Sequence, residues 1–196
     1  MRRPSKPVGI LVAAATVAAT GWLAWALSYA RQGYEPRQPI QFRHSRMAGP
    51  AVWQVSAKGE RTNVGGYDIP CLYCHTMPYK GRHSTVPSTA VCMNCHSTVG
   101  LGKEWVLKVK EYWDRGEPIP WVKVHDMPDF VYYDHSAHLT AKDAQGKPKL
   151  ACKDCHGEVE KRDRVRVENH FNMGWCVDCH RQPDMNGPTD CVTCHR

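Results

Sequence analysis

Two cysteines, separated by two residues and followed at once by a histidine, form a pattern that occurs five times in this chain of 196 residues. All ten cysteines of the chain belong to the pattern, and every pair has its histidine. The five copies are Cys71-Leu-Tyr-Cys74-His75, Cys92-Met-Asn-Cys95-His96, Cys152-Lys-Asp-Cys155-His156, Cys176-Val-Asp-Cys179-His180 and Cys191-Val-Thr-Cys194-His195.

The spacing is that of covalent c-type haem attachment. Two residues between the cysteines let both sulfurs bond one edge of one porphyrin, and the adjoining imidazole becomes the proximal ligand of the iron. Structural zinc, a thioredoxin-like redox pair and disulfides also use cysteine pairs, but a zinc ribbon has no need of a histidine after each pair. The sequence therefore predicts five covalent haem c groups, with five proximal ligands: His75, His96, His156, His180 and His195.

Large apolar side chains are scarce in the part of the chain that carries the motifs. After residue 31 there are only three Phe, five Leu and three Ile, too few to bury a conventional core for that length. Five largely apolar porphyrins would supply the missing interior surface. We therefore expect the haem-free chain not to fold, because the ligands and the core are the same atoms.

The charge balance does not indicate nucleic acid as a partner. The formal net charge is +7, from 26 Lys and Arg against 19 Asp and Glu. Each haem adds two propionates and, when ferric, about one positive charge, so the count for the bare chain says little about the loaded protein. The cations are also scattered, without the basic stripe or aromatic platform that strand binding needs.

An uncharged stretch of 23 residues, 8–30, predicts a membrane anchor within residues 1–31. As a helix it would be roughly 35 Å long, enough to span the hydrocarbon layer. Arg2, Arg3 and Lys6 precede it, which favours a cytoplasmic N-terminus and places the rest of the chain on the periplasmic side of the cytoplasmic membrane. An oxidising extracytoplasmic compartment also suits haem attachment.

A cleaved signal peptide is the alternative interpretation of this stretch. Ser28-Tyr29-Ala30 has the small residues of a cleavage site. The apolar part of a signal peptide is normally shorter, about 7 to 15 residues. Trp22, Trp25 and Tyr29 cluster at the outer end, where an aromatic belt would lie in a retained anchor.

The rest of the chain divides into a predicted extended linker, 32–70, and a pentahaem domain, 71–196. The linker shows no sustained periodicity. Two related elements, Phe42-Arg-His44-Ser-Arg-Met47 and Tyr133-Asp-His135-Ser-Ala-His138, are followed by the motifs at Cys71 and Cys92 and by those at Cys152 and Cys176, respectively. This predicts an internal duplication, with modules at about 40–100 and 130–196.

Between the modules, residues 101–114 have apolar residues close to a 3.6-residue period and predict an amphipathic helix laid over the haems. Trp105 and Trp113 within it are interpreted as packing residues rather than electron relays. Residues 141–149 predict an exposed polar loop.

Five irons need at most five distal ligands, and six histidines remain after the proximal ones. Since positions i and i+3 of a helix share a face, His135 and His138 can reach two different irons from one turn. Met173, one turn before Cys176, is the candidate thioether ligand, and a His/Met haem has a higher potential than a bis-His haem. The predicted allocation is four bis-His haems and one His/Met haem, using His44, His125, His135, His138 and Met173. His83 is expected at the surface, with His170 and Met47 as reserve ligands.

These residues together resemble the pentahaem cytochrome c subunit of alternative complex III, a membrane-bound quinol:electron acceptor oxidoreductase. The resemblance covers nearly the whole outer domain. It differs at Met47, where the family commonly has a second histidine. It is carried by Gln38-Pro-Ile-Gln-Phe-Arg-His44, Cys71-Leu-Tyr-Cys-His75, Val86-Pro to Cys92-Met-Asn-Cys-His96, Trp121-Val-Lys-Val-His125-Asp-Met-Pro128, His135-Ser-Ala-His138 and Met173-Gly-Trp-Cys176-Val-Asp-Cys-His-Arg181.

The resemblance implies a multihaem cytochrome c fold of class III-like type, with short helices and coil packed around five haems and one N-terminal transmembrane helix. It also implies docking on iron–sulfur and polytopic quinol-binding subunits of a respiratory or photosynthetic complex. Electrons would pass from quinol through the haems to a mono-haem cytochrome c or another soluble acceptor.

Two other functions compete with this electron-transfer role. A single-helix-anchored multihaem quinol dehydrogenase would oxidise quinol by itself and would want an open haem close to Arg31. A multihaem reductase of small oxyanions needs a vacant iron position, whereas this chain has enough histidines to close all five. No nucleophile–base arrangement or phosphate loop stands out, so the chain is predicted not to be an enzyme on its own.

Overall fold

The computed structural model describes residues 6–29 and 31–195. Its first element is the helix α1, Lys6–Tyr29, which contains the apolar window Gly9–Ala26, none of it buried. Within the described residues this is the one helix long and apolar enough to cross a membrane. Arg2, Arg3 and Ala30, on which part of the anchor prediction depends, lie outside the described residues.

Short helices joined by irregular segments make up most of the remaining fold. Ten further elements of regular α or β structure follow α1 in the described chain, with one 3-10 turn, Val159–Lys161, between α7 and α8. They are α2 His44–Met47, β1 Trp53–Val55, β2 Arg61–Asn63, α3 Cys71–Cys74, α4 Thr89–His96, α5 Glu104–Asp114, α6 His135–Leu139, α7 Cys152–His156, α8 Met173–His180 and α9 Cys191–Cys194.

Each of the five attachment motifs forms a short helix, so its two cysteines lie three positions apart on one helical face. Polar side chains start two of these helices by accepting a hydrogen bond from an otherwise unpaired backbone N–H. The Asn172 amide oxygen accepts from Trp175 N at 2.9 Å at the start of α8, and Asp190 accepts from Thr193 N at 3.1 Å at the start of α9.

The segment 32–70, predicted as an extended linker, contains the helix α2 and an antiparallel hairpin of β1 and β2. Trp53 pairs with Asn63, Gln54 with Thr62, and Val55 with Arg61. Nearly every residue of these strands is exposed. The hairpin therefore lacks the alternation of buried and exposed side chains that makes a strand recognisable in a sequence.

The helix predicted over residues 101–114 is present as α5, which begins three residues later, at Glu104. Its buried face packs against α4, where Val109 meets Ile40 and Ile119 in a small core that Trp105 also contacts. Trp113, on the other hand, is 45% exposed. Apart from Pro78, the buried apolar side chains among the described residues are Ile40, Val106, Val109, Ile119 and Val167, so the protein's own core is as thin as the composition indicates.

The chain just after α1 contacts two later segments, one at Asp126 and one at Val167. Arg31 forms an ion pair with Asp126 at 2.8 Å. Gly33 N donates to Val167 O at 2.8 Å, and Val167 N donates to Tyr34 O at 3.0 Å. The end of the apolar helix is therefore held close to the residue that follows His125.

Candidate haem-binding sites

Two histidines on one turn of α6 face the histidines of two different attachment motifs. The ring centroids of His135 and His156 lie 6.3 Å apart with nearly parallel planes, at 5°. Those of His138 and His180 lie 6.0 Å apart at 36°. Two imidazoles on opposite faces of one iron have centroids about 6 Å apart. On each side, the metal–nitrogen bond of about 2 Å adds to a distance of about 1 Å from the nitrogen to the ring centroid.

The side chains of these histidines are oriented by backbone carbonyl groups. His135 Nδ1 lies 2.7 Å from Arg82 O, and His138 Nδ1 lies 2.7 Å from Asp134 O. A carbonyl oxygen only accepts hydrogen bonds, so Nδ1 carries the proton and Nε2 keeps the lone pair that a metal ligand needs. Three proximal histidines share this arrangement, with carbonyl acceptors as follows: His75 with Thr85 at 3.0 Å, His96 with Val99 at 3.0 Å and His180 with Pro188 at 2.6 Å.

The two predicted distal-ligand elements have the same local structure. In the first, Phe42 meets His44 edge-on at 4.8 Å and 82°. In the second, Tyr133 meets His135 edge-on at 4.9 Å and 79°. In each case a short helix begins at the histidine. The aromatic residue two positions earlier therefore packs against the histidine ring in both elements, while the internal duplication stays a prediction.

His44 and His156 are held in surroundings that favour neutral imidazole, the form that binds iron. Burial, and then the nearby His75, lower the pKa of His44 to about 4. Burial lowers the pKa of His156 to about 4 as well, with further contributions from His125, His135 and His75. At neutral pH both rings are uncharged.

His125, predicted as a distal ligand, lies against the ring of His156. Its Nε2 is 3.4 Å from His156 Nδ1, and the two rings meet edge-on with centroids 4.5 Å apart. Burial, and then His135, lower its pKa. In this placement His125 contacts the motif histidine His156, and its role as a sixth ligand stays a prediction.

The cysteines are free thiols, and the motifs that carry them lie side by side. Burial raises the pKa of several thiols. For four of them, a cysteine of a different motif raises the pKa further. These neighbouring pairs are Cys92 with Cys74, Cys152 with Cys71, Cys155 with Cys179, and Cys176 with Cys194. The pKa of Cys155 reaches about 11.

Neither of the other uses of cysteine pairs finds support in the geometry. All ten thiols are unbridged. In residues 6–29 and 31–195, no group of three or more His, Cys, Asp and Glu side chains is arranged to hold a bare metal ion. The paired rings at 6.0 and 6.3 Å, their carbonyl-bound Nδ1 atoms and the helical cysteine pairs instead fit haem c.

The remaining candidate ligands are spread over the surface and the edge of the fold. Met173 is the first residue of α8 and is 68% exposed. His195 packs on Phe130, with ring centroids 6.0 Å apart. His83 is exposed, as expected, while His170 and Met47 are half-buried.

Sequence reasoning did not find two residues that shape these sites. Phe171 adopts the left-handed region, at φ 47°, and its ring lies 5.7 Å from that of His125. A bulky residue rarely takes this conformation, and nothing in the sequence marks it. Gly187 lies so close to His180 that an added Cβ would be 2.6 Å from the ring carbon Cγ. The Gly-Pro pair at 187–188 signals a turn, but not the histidine it packs on.

Residues 131–196 match the family model described as cytochrome c7 and related cytochrome c. The match coincides with the predicted second module. This part of the chain, which consists of short helices and coil, is therefore similar to cytochrome c7 and related cytochromes c.

The chain as a whole is also similar to one curated protein. It is 27% identical over 195 residues to the "Menaquinone reductase, multiheme cytochrome c subunit" of Nitratidesulfovibrio vulgaris, a match that covers 90% of this chain and 83% of that protein. The narrower resemblance to the alternative complex III subunit stays a prediction.

Proposed function

We propose that this protein conducts electrons through five c-type haems and is not an enzyme on its own. The observation that carries the proposal is the pairing of His135 with His156 and of His138 with His180, at the spacing of two ligands on one iron. An iron closed on both faces transfers electrons but binds no substrate.

The residues of the chain have distinct roles in this proposal. Haem c would supply the one-electron iron couple. The ten cysteines would hold it through thioether bonds, and His75, His96, His156, His180 and His195 would bind iron from one side. Carbonyl groups at Nδ1 fix the rings and keep Nε2 basic, which stabilises the ligated state.

The neighbouring motifs support a linear order for the haems. Asn94 donates to Tyr73 Oη at 3.3 Å and joins the second motif to the first. The helix α6 contacts histidines of the third and fourth motifs, and the effect of Cys194 on the pKa of Cys176 supports a position of the fourth motif beside the fifth. The effect of Cys71 on the pKa of Cys152 supports a position of the first motif beside the third. The proposed order is therefore second, first, third, fourth, fifth.

The helix α1 would anchor the protein as a single membrane span, with the N-terminus in the cytoplasm and the haem domain on the periplasmic side. The contact between Arg31 and Asp126 supports a position of the third haem near the membrane, because Asp126 follows the histidine that touches His156.

The proposed partners are the other subunits of a quinone-reactive membrane complex. The relative from N. vulgaris is by name a subunit of a menaquinone reductase. The resemblance to alternative complex III adds iron–sulfur and polytopic quinol-binding subunits, and a mono-haem cytochrome c or other soluble acceptor. We propose electron flow from quinol outward, while the name of the relative favours flow toward quinone as the second candidate.

The direct test uses membranes that contain the intact complex, with haem reduction followed by absorbance. A menaquinol analogue should reduce the haems, and a quinol-site inhibitor should block the reduction. If quinol leaves the haems oxidised while reduced soluble cytochrome c reduces both haems and quinone, the flow runs the other way. If neither donor reduces the haems, the proposal fails.

A self-sufficient quinol dehydrogenase is the other candidate. The ion pair between Arg31 and Asp126 favours this candidate, because it would bring a haem close to the membrane. The purified holo-protein in detergent separates the two. Reduction by quinol without other subunits would support the dehydrogenase, and a lack of reduction would support the conductor.

A further inference from the structure

The loop of residues 80–85 joins the two modules at the histidines themselves. At its end, the Thr85 carbonyl accepts a hydrogen bond from His75 Nδ1 at 3.0 Å. In its middle, the Arg82 carbonyl accepts from His135 Nδ1 at 2.7 Å and from His135 N at 3.4 Å. One short loop therefore orients a histidine of each module.

The side chain of Arg82 holds the same loop to the segment before His135. Its Nη2 donates to Val131 O at 2.9 Å, and its guanidinium carbon lies over the ring of Tyr132, 5.0 Å from the centroid. Tyr132 N in turn donates to Cys194 O at 2.8 Å. Arg82 thus binds His135 through its backbone carbonyl. Its guanidinium contacts the segment 131–132, which is hydrogen-bonded to the fifth motif.

We propose that Arg82 is a positioning residue that keeps His135 bound to iron. The position of a backbone carbonyl depends on what holds its loop, and the half-buried guanidinium of Arg82 provides that hold next to the carbonyl. A hydrogen bond at Nδ1 fixes the ring and makes Nε2 a stronger donor to metal. The inference rests on the proposed function, because it takes His135 to be an iron ligand.

The test measures cyanide binding to the oxidised full-length holo-protein. Cyanide reaches a six-coordinate iron only after the distal ligand leaves, so its rate reports how firmly that ligand is held. Arg82→Ala should speed cyanide binding at one haem by about 10- to 100-fold, the usual cost of losing a group that orients a metal ligand. Arg82→Lys should restore part of the slow rate, since an ammonium can still donate to Val131 O and lie over Tyr132.

Arg61→Ala is the matched control. Arg61 lies over the Trp53 ring at the same distance, 5.0 Å, in the exposed hairpin of β1 and β2. Its loss removes an arginine–aromatic contact of the same kind and should leave every cyanide rate unchanged.

A double-mutant cycle shows whether Arg82 acts through His135. His135→Ala alone should open one haem to rapid cyanide binding, and adding Arg82→Ala should change the rate no further. A further increase in the double variant, an unchanged rate in Arg82→Ala, or several haems opening at once would each overturn the positioning role. If His135→Ala itself leaves cyanide binding slow, the ligand assignment of the proposed function fails instead.

If Arg82→Ala does not accumulate with five haems, Tyr132→Leu is a second variant that tests the same inference. It removes the ring under the guanidinium and leaves Arg82 and its carbonyl in the chain. A several-fold faster cyanide reaction at the same haem that His135→Ala opens supports the inference, and a wild-type rate overturns it.

Discussion

At the scale of residues, the candidate iron ligands are side chains, whereas the groups that orient them are backbone carbonyls. The five motifs name their cysteines and proximal histidines directly, because the chemistry requires those side chains at that spacing. The groups that fix the rings are the carbonyls of Arg82, Asp134 and Pro188, which belong to the backbone and leave no signature in residue type. The contact between His125 and His156 is not predictable either, because it depends on how the chain folds between these two residues.

His138→Ala tests the pairing with His180. Removal of this imidazole should convert one of the low-spin haems to a high-spin form, because the iron of the Cys176 motif loses its distal ligand. Electron paramagnetic resonance of the oxidised protein measures the change. His83→Ala, at an exposed histidine, is the control and should keep the wild-type spectrum. A wild-type spectrum for His138→Ala, or a lost low-spin haem in His83→Ala, would contradict the assignment.

Met173→Leu tests the predicted His/Met haem. Loss of a thioether ligand should lower or scramble the potential of one haem and leave the other four unchanged, since thioether ligation raises the potential. A redox titration followed by absorbance measures this. Because Met173 is 68% exposed at the start of α8, the variant should not disturb packing. Identical titration curves for variant and wild type would refute the ligand role.

At the scale of elements, the sequence predicts the helices and motifs that have an apolar repeat or a ligand pattern. It misses the elements that have neither. The helix α5 is found because its apolar residues repeat, although its start moves to Glu104. The hairpin of β1 and β2 is missed because its short strands are exposed on both faces. The similarity between α2 and α6 is visible in advance, since both begin at a histidine that follows an aromatic residue by two positions.

Gly187→Ala tests the turn that brings the Pro188 carbonyl to His180. The new Cβ would lie 2.6 Å from the Cγ atom of His180, so the ring must shift away from its carbonyl. We expect an altered potential for the haem of the Cys176 motif, measured by redox titration. Gly102→Ala is the matched control, because an added Cβ there meets nothing within 4 Å. Equal titration curves for Gly187→Ala and wild type would show that the turn does not set the ring.

At the scale of the whole molecule, we expect the fold to depend on the haem groups as well as on the amino acids. Few apolar side chains are buried in the described part of the chain, and the motif helices, four to eight residues long, are too short to persist in isolation. Composition predicts this thin core, because large aliphatic residues are scarce after residue 31. The path of the irregular segments between the short helices is not predictable from the sequence, since these segments show no periodicity.

Haem removal tests this dependence. Protein produced without haem attachment should lose most helical signal outside α1, because the ligands and the interior are the same atoms. Circular dichroism of the segment after α1, compared with and without haem, measures the loss. Native-like spectra of the haem-free segment would contradict the account.

The central claim is that five irons, each closed on both faces, form a conductor fixed to the membrane. The most direct test is a quantitative count of low-spin and high-spin ferric haem by electron paramagnetic resonance on the oxidised protein. The account predicts five low-spin haems in each chain. A high-spin signal, or fewer than five haems in each chain, would contradict it.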